Sequence, residues 1–373
     1  MKGSSAPCRT RTIDCRRDPT VTHRFHGRVI AASDTEGNVV PMNRTGWLTC
    51  LALTLLPLRV VADDVPLRGA GATFPQPVYA LWAATYERQG GERVVYDAVG
   101  SGAGMAHMLS HEVDFGATDV PLSREVLERE GLLQFPAVVG AVVPVVNIKG
   151  IRSGELKLTG ELLGEIYLGR ITRWDDPALT ALNPGLHLPS ARITVVHRSE
   201  ASGTTHRWAT YLSNQSALWR ERVGTDMTLE WPTGVGGLGN EGVASYVQRT
   251  HMAVGYVEHA YALQHHLSTV SLPNRQGRFV SAAYEAYAAA DGAGWPLTGP
   301  SYIVLRARTP EAGRTQAVLR FFDWAWHQGR DLARGLDYVP LDDGELQAIE
   351  QTWHMQVHDL SGDPIWPAAA GSR

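Results

Sequence analysis

Ile193-Thr-Val-Val-His-Arg-Ser-Glu-Ala-Ser-Gly-Thr-Thr205 is the stretch that decides how the rest of the chain is read. Its first four residues, Ile193, Thr194, Val195 and Val196, are all β-branched and predict a strand, because such side chains pack well on a pleated surface. The run stops at Arg198, a small Ser202-Gly203-Thr204 turn follows, and His206 to Leu212 is helix-like. A strand that feeds a helix through small hydroxyl and glycine residues aims the first N–H groups of that helix, which have no partner within it, at one point. An arginine just ahead of that point adds a planar fork suited to a tetrahedral oxyanion. The stretch therefore predicts one wall of an anion site.

Outward from it, strand and helix patterns alternate, which points to a layered α/β fold. Leu67 to Thr73 predicts a strand and turn, and Pro75 to Gln89 a helix with proline in its first turn. Val94 to Val99 predicts a strand, Gly100-Ser101-Gly102-Ala103-Gly104 a turn, Met105 to Leu109 a helix, and Asp114 to Asp119 a strand ending on a carboxylate. Val138 to Ile148 is a continuous apolar run of the kind a buried strand carries. Leu162 to Leu168 predicts a helix. A glycine-rich stretch from Gly234 to Gly242 leads into a helix over Val243 to Gln248. Val254 to Val257 and Ser301 to Leu305 predict late strands, and Gln316 to Trp326 and Gly344 to Val357 closing helices. No internal repeat is visible.

The 373 residues are 44% apolar and 19% charged, ordinary for a globular chain and long enough for two domains. With a net charge of −4, neither a nucleic-acid footprint nor a basic membrane surface is indicated. Residues 1–62 hold 9 Lys+Arg and 4 Asp+Glu, so the remainder carries 25 basic and 34 acidic residues. An acidic body must hold an anion through local dipoles and hydrogen bonds, because its overall field repels one. Cys8, Cys15 and Cys50 are the three cysteines, so thiol chemistry beyond Cys50 is excluded. Their absence from the body is compatible with an oxidising compartment.

Met42-Asn43-Arg44 followed by the apolar run Trp47 to Leu56 and by Val60-Val61-Ala62 fits a signal peptide over 42–62, cleaved before Asp63. Arg59 is unusual in such a cleavage region. The run is too short to span a bilayer. Trp47-Leu48-Thr49 is a poor approach to a lipidated cysteine at Cys50. Residues 1–41 read as a disordered leader or a start-site artefact, or alternatively as a functional extension.

Each candidate residue has a plain reading beside the functional one. Gly100 to Gly104 is either a tight turn or a backbone N–H cradle for a small anion. It lacks the G-x-G-x-x-G spacing of a dinucleotide site, and no lysine follows that would make a P-loop. Thr73 is a helix N-cap or a ligand hydroxyl. Asp119 is a cap, or else an acceptor. Beside an anion a carboxylate is costly unless the ligand brings a proton to share, which would admit hydrogen phosphate and oppose fully ionised sulfate. His107 and His111 are four apart on an expected helix but lack a third ligand, so no metal is expected. His265-His266 reads as surface, and Trp208, Trp324 and Trp326 as packing. Ser202 lacks the first glycine of G-x-S-x-G and shares its helix with His206, so no catalytic residue and no cofactor are expected.

With these residues assembled, the chain from Leu67 to about Ile365 resembles the periplasmic phosphate-binding proteins of high-affinity phosphate ABC transporters. The resemblance is carried by Gly69-Ala-Gly-Ala-Thr-Phe-Pro-Gln-Pro-Val-Tyr-Ala80, Val113-Asp-Phe-Gly-Ala-Thr-Asp119, Leu133-Gln-Phe-Pro136, Gly164-Glu-Ile-Tyr-Leu-Gly169, Asn183-Pro-Gly185, Ser202-Gly-Thr204 and Gly255-Tyr-Val-Glu258. It implies a two-lobe, type II periplasmic-binding-protein-like α/β fold, with mixed sheets flanked by helices and a ligand cleft between the lobes. It implies a first lobe over 63–145 and 293–373 and a second over 146–292. Phosphate would be held by Thr73, Phe74, Ser101 and Asp119 from the first lobe, and by Arg198, Ser202, Gly203 and Thr204 from the second, with Glu200 steadying Arg198. Inorganic phosphate and the permease subunits of an inner-membrane transporter would be its partners, and the chain a periplasmic monomer. The chain departs from the family pattern in three places, one of them a stretch between Val280 and Pro296 that is shorter than in similar proteins. Ser101-Gly102-Ala103-Gly104 stands where the family often has Ser-Ser-Gly-Gly, and Glu200 where it has aspartate. A binding protein for arsenate or sulfate, and from another class a secreted phosphatase, are the alternative readings.

Overall fold

The computed structural model describes residues 65–289 and 292–367. The leader expected over 1–41, the signal peptide over 42–62 and all three cysteines lie outside the described residues.

The strands are β1 (Leu67–Gly71), β2 (Val94–Asp97), β3 (Phe115–Thr118), β4 (Leu132–Val146), β5 (Thr194–Arg198), β6 (Val235–Gly237), β7 (Ala253–Glu258), β8 (Ser268–Thr269), β9 (Leu272–Pro273), β10 (Phe279–Val280) and β11 (Thr298–Arg306). The helices are α1 (Gln76–Arg88), α2 (Ser101–Leu109), α3 (Arg124–Glu130), α4 (Gly160–Tyr167), α5 (Pro177–Leu182), α6 (Gly203–Gln215), α7 (Ala217–Arg222), α8 (Gly239–Arg249), α9 (His259–Gln264), α10 (Tyr284–Ala288), α11 (Ala312–His327), α12 (Arg330–Arg334) and α13 (Asp343–Gln356).

Nine strands join in the order β2-β1-β3-β11-β4-β7-β5-β6, with β8 beside β4, and β9 and β10 form a separate hairpin. The ends of this order are alike. β1 pairs in parallel with β2 and β3, and β5 pairs in parallel with β6 and β7. Between them β11 and β4 are antiparallel, and β4 serves both sides. Its first part, Leu132 to Ala141, pairs with β11, and its last part, Val142 to Val146, pairs with β7. The result is the two-lobe, type II arrangement of a mixed sheet flanked by helices. In open parallel sheets the carboxyl ends of the strands are where ligands bind. Here the carboxyl ends of β1, β3, β5 and β6 each run directly into a residue of the candidate site.

Each parallel set packs on an aromatic core. In the first, Phe322 meets Tyr79, Phe115 and Phe135 edge-on at 5.9, 5.3 and 6.1 Å. In the second, Trp208 stacks on Tyr256 at 4.9 Å and meets Tyr167 edge-on at 5.3 Å. Edge-on and offset pairs are the preferred geometries of aromatic rings. Trp208, Trp324 and Trp326 are all buried, as their packing reading required.

Two expectations are corrected. Gly100 to Gly104 is not a turn followed by a helix at Met105, because α2 begins at Ser101 and the glycines form its first turn. Glycine disfavours a helix interior by about 1 kcal/mol relative to alanine, and close packing overrides that here. A Cβ on Gly104 would stand 2.2 Å from the Gly71 Cα, so α2 lies directly on β1. His107 and His111 do not share a helix face, because α2 ends at Leu109, and His111 takes a left-handed conformation with φ 60°. His107 instead contacts Glu112 at 2.5 Å.

Candidate functional site

Four helix N-termini converge where the strands end: those of α1, α2, α6 and α8. Three were legible in the sequence, and the fourth lies in the Gly234 to Gly242 stretch. Each terminus exposes N–H groups without intrahelical partners and carries a partial positive charge.

At the end of β5 the Arg198 side chain is buried. Its Nε donates to Glu200 Oε1 at 2.9 Å, and its Nη2 meets the same oxygen and donates to Thr73 Oγ1 at 3.1 Å. Glu200 Oε1 also accepts the N–H of Gly239 at the start of α8, at 3.2 Å. Glu200 therefore engages the arginine and ties it to a second helix. Arg198 Nη1 is buried without a protein partner.

Ser202 is the N-cap of α6, its hydroxyl oxygen accepting the Thr205 N–H at 3.1 Å. Its O–H proton is left for another acceptor. The oxygen serves as a helix cap. Ser101, at the start of α2, accepts the Gly203 N–H at 3.2 Å and the Asp119 N–H at 3.3 Å. A Cβ on Gly203 would stand 2.8 Å from Asp119 Oδ2 and 2.6 Å from Ser101 Oγ, so only glycine lets these elements approach. Gly102 answers a similar demand. Its N–H donates to Ala201 O at 3.2 Å, and a Cβ there would meet the Ala201 Cβ at 2.5 Å. The departure at Gly102 is thus matched by the side chain facing it.

Thr73 is not an N-cap. Pro75 occupies that position without a side-chain bond, and Thr73 Oγ1 lies among Arg198 and Asn240 instead. Phe74 is fully buried, with its carbonyl accepting the Tyr338 hydroxyl at 2.7 Å. Asp119 is buried as well. Its Oδ1 accepts from Ser301 Oγ at 2.8 Å, and its Oδ2 is buried without a protein partner. Burial pushes the Asp119 carboxyl up to about 6, against the opposing pull of Arg207, of the Ser301 hydrogen bond and of Arg198. A desolvated carboxylate and a desolvated guanidinium, each with one atom free of a protein partner, thus lie close enough for the charge of one to act on the other.

The structure brings all nine expected residues together: Thr73, Phe74, Ser101, Asp119, Arg198, Glu200, Ser202, Gly203 and Thr204. It also adds residues the sequence did not single out. Asn240, in the first turn of α8, donates from Nδ2 to Thr73 Oγ1 at 2.8 Å and to Thr204 Oγ1 at 3.3 Å, while its Oδ1 accepts the Glu258 N–H at 2.8 Å. Glu258 is fully buried, and burial holds its carboxyl well above the usual carboxylate range. Arg207 and Ser301 flank Asp119. At the rim, a cleft of about 580 Å³ is lined by residues including Thr73, Asp97, Glu200, Leu238 and Glu241. No helix among the described residues is long and apolar enough to cross a membrane.

A family model described as a PBP superfamily domain matches residues 32–325. The phosphate-binding protein PstS of Pasteurella multocida is 44% identical over 345 residues, covering 87% of this chain and 100% of its own. PstS of Haemophilus influenzae is 45% identical over 327 residues, covering 82% and 97%. The chain belongs to the PstS family of the PBP superfamily. A solved high-affinity periplasmic phosphate-binding protein, PfluDING, bound with phosphate, aligns with a TM-score of 0.62 at 20% identity, over 76% of this chain and 93% of that one. At that identity the likeness shows the fold. The PstS relatives are binding proteins by name.

Proposed function

We propose that the chain captures inorganic phosphate in the cleft between its lobes and delivers it to the permease subunits of an inner-membrane ABC transporter. One observation carries the choice of ligand. The buried Asp119 carboxylate has its Oδ2 unpartnered beside Gly203 at the start of α6, within reach of the Arg198 charge. Donors alone would suit any tetrahedral oxyanion. A carboxylate among them suits one that still carries a proton, which it accepts as a short charge-assisted hydrogen bond. Fully ionised sulfate would set two acceptors against each other. The names of the PstS relatives support the same reading.

In this reading Thr73, Ser101, Ser202 and Thr204 offer hydroxyl groups, and Phe74, Gly203 and Thr204 offer backbone N–H groups. Arg198 supplies the fixed charge and Glu200 holds it in place. Each hydrogen bond to a charged group contributes about 1.5–3 kcal/mol. A handful of them surpasses the roughly 8 kcal/mol that micromolar binding requires, before ordering and desolvation are subtracted. The lobes are proposed to span 63–145 with 293–373, and 146–292. The change of partner along β4 and the return of the chain through β11 support that division. Export to the periplasm through residues 42–62 completes the proposal, which includes binding without turnover. Titration calorimetry of the mature chain tests it. Phosphate is expected to bind at micromolar concentration or tighter and sulfate to give no heat, and equal binding of the two would refute the assignment.

A further inference from the structure

Arg207 lies one turn into α6, on the second parallel set, yet every partner of its guanidinium belongs to the other side of the cleft or to β11. Its Nη2 donates to the Pro300 carbonyl at 2.8 Å and to the Asp119 carbonyl at 3.3 Å. Its guanidinium carbon lies 5.2 Å from the centre of the Phe74 ring, the face geometry of a cation–π contact. A Cβ on Gly299 would stand 2.1 Å from Arg207 Nη1, so β11 leaves a groove for this side chain. Nη1 is buried without a protein partner, and among the described residues no carboxylate forms an ion pair with the group. Arg198, only nine residues earlier, has Glu200.

We propose that Arg207 is a cross-lobe latch and a positioning residue for Asp119, fixing the backbone of the proton acceptor when the lobes shut over the ligand. The inference rests on the phosphate reading above. It assigns the holding step to a residue that need not touch phosphate at all. A half-buried cation bonded to carbonyl groups is held only while those carbonyls are in reach, because it has no partner on its own element. Separation of the lobes would return it to water and break two charge-assisted hydrogen bonds and the aromatic contact together. The latch therefore acts on the rate of ligand release.

Its charge has a second effect. The groups that face Asp119 are Arg207 from α6, Arg198 from β5, the buried Glu258 at the end of β7, Ser301 from β11, Tyr79 from α1, Tyr96 from β2, Tyr261 from α9 and Tyr338 beyond α12. Of these, only the two arginines favour the ionised carboxylate by charge, and Glu200 already accepts two bonds from Arg198. His206, beside Arg207, is held below its ordinary value by burial first and by Arg207 second, so it contributes little charge near neutrality. Removing Arg207 should make the carboxylate easier to protonate and shift the acid limb of phosphate affinity to higher pH.

The test is stopped-flow release and calorimetric affinity for inorganic phosphate between pH 5 and 9, on the unmodified chain, Arg207→Met and Arg207→Lys. Arg207→Met is expected to release phosphate about tenfold faster or more, since interface changes act mostly on dissociation, and to move the acid limb upward. Arg207→Lys keeps the charge but not the planar fork, so it is expected to leave the acid limb in place while still raising the release rate. Should Arg207→Met not fold, Arg207→Lys alone decides, and release at the unmodified rate overturns the latch. With phosphate bound by the unmodified chain, an Arg207→Met variant unchanged in release and pH profile overturns the inference by itself. Failure of the unmodified chain to bind phosphate overturns it together with the reading on which it rests.

Discussion

The two parallel sets end on buried groups of opposite charge. β5 and β6 deliver Arg198 and the N-termini of α6 and α8, a surface made almost wholly of donors. β1 and β3 deliver Thr73 and Asp119, and Asp119 is the one ionisable acceptor among the nine site residues apart from Glu200, which is committed to Arg198. In the proposed reading the donor wall gives strength to any tetrahedral anion, and the carboxylate of the other wall gives choice among anions. A site without that carboxylate is expected to bind sulfate and phosphate alike.

The largest break should come from the donor wall. Arg198→Ala removes the fixed charge and strands Glu200 in a nearly dry site. Breaking a buried pair in this way costs about 3–5 kcal/mol, so calorimetry should find phosphate affinity reduced by at least two orders of magnitude. Affinity within tenfold of the unmodified chain would show that the helix termini, and not the arginine, carry the wall.

Next in size is a pH effect confined to the acceptor wall. The folded Asp119 carboxyl titrates near 6 and an unfolded one near 3.8. Between those values the folded state holds the proton more firmly, so this group stabilises the free protein as pH falls from about 6 to about 4. A difference of that size corresponds to roughly 3 kcal/mol. Phosphate affinity should run the other way and decline across the same range, because the protonated carboxyl no longer accepts the ligand's hydrogen. Denaturant melts of the free chain and calorimetry of the bound one should therefore show opposite slopes. Asp119→Asn should flatten both and raise sulfate binding relative to phosphate; parallel slopes would break the contrast between the walls.

The smallest change sharpens the donor side. Ser202→Ala deletes an N-cap, which costs about 1 kcal/mol of stability, and one hydroxyl from the site. A modest fall in both melting midpoint and affinity is expected. A loss as large as that of Arg198→Ala would give Ser202 a part beyond capping and a single hydrogen bond.

How much of this was legible in the sequence follows from how local each signal is. Ile193 to Val196 and the Ser202-Gly203-Thr204 turn declare a strand, a cap and a helix start within a dozen residues, and the structure has them there. The glycines from Gly100 to Gly104 misled because propensity assigns them to a turn. The close approach of α2 to Gly71 is tertiary and invisible in local pattern. Asn240 was hidden in a stretch that reads only as glycine-rich. Arg207 was hidden more completely, since a cation one turn into a helix ordinarily faces solvent. The Phe74 ring and the Asp119 and Pro300 carbonyls, brought in from far along the chain, keep it half-buried. Ser301 read as no more than the start of an apolar strand.

The shared strand β4 has a consequence for how the chain acquires its shape. Leu132 pairs with Arg306 and Val142 with Glu258, so neither lobe has a finished sheet until more than a hundred further residues have emerged. Pairings of such separation fold slowly, because loop closure is opposed by entropy before the contacts reward it. A newly made chain of this design stays threadable for longer than one built from neighbouring strands. That delay would suit the proposed export, in which the chain crosses a membrane before it folds.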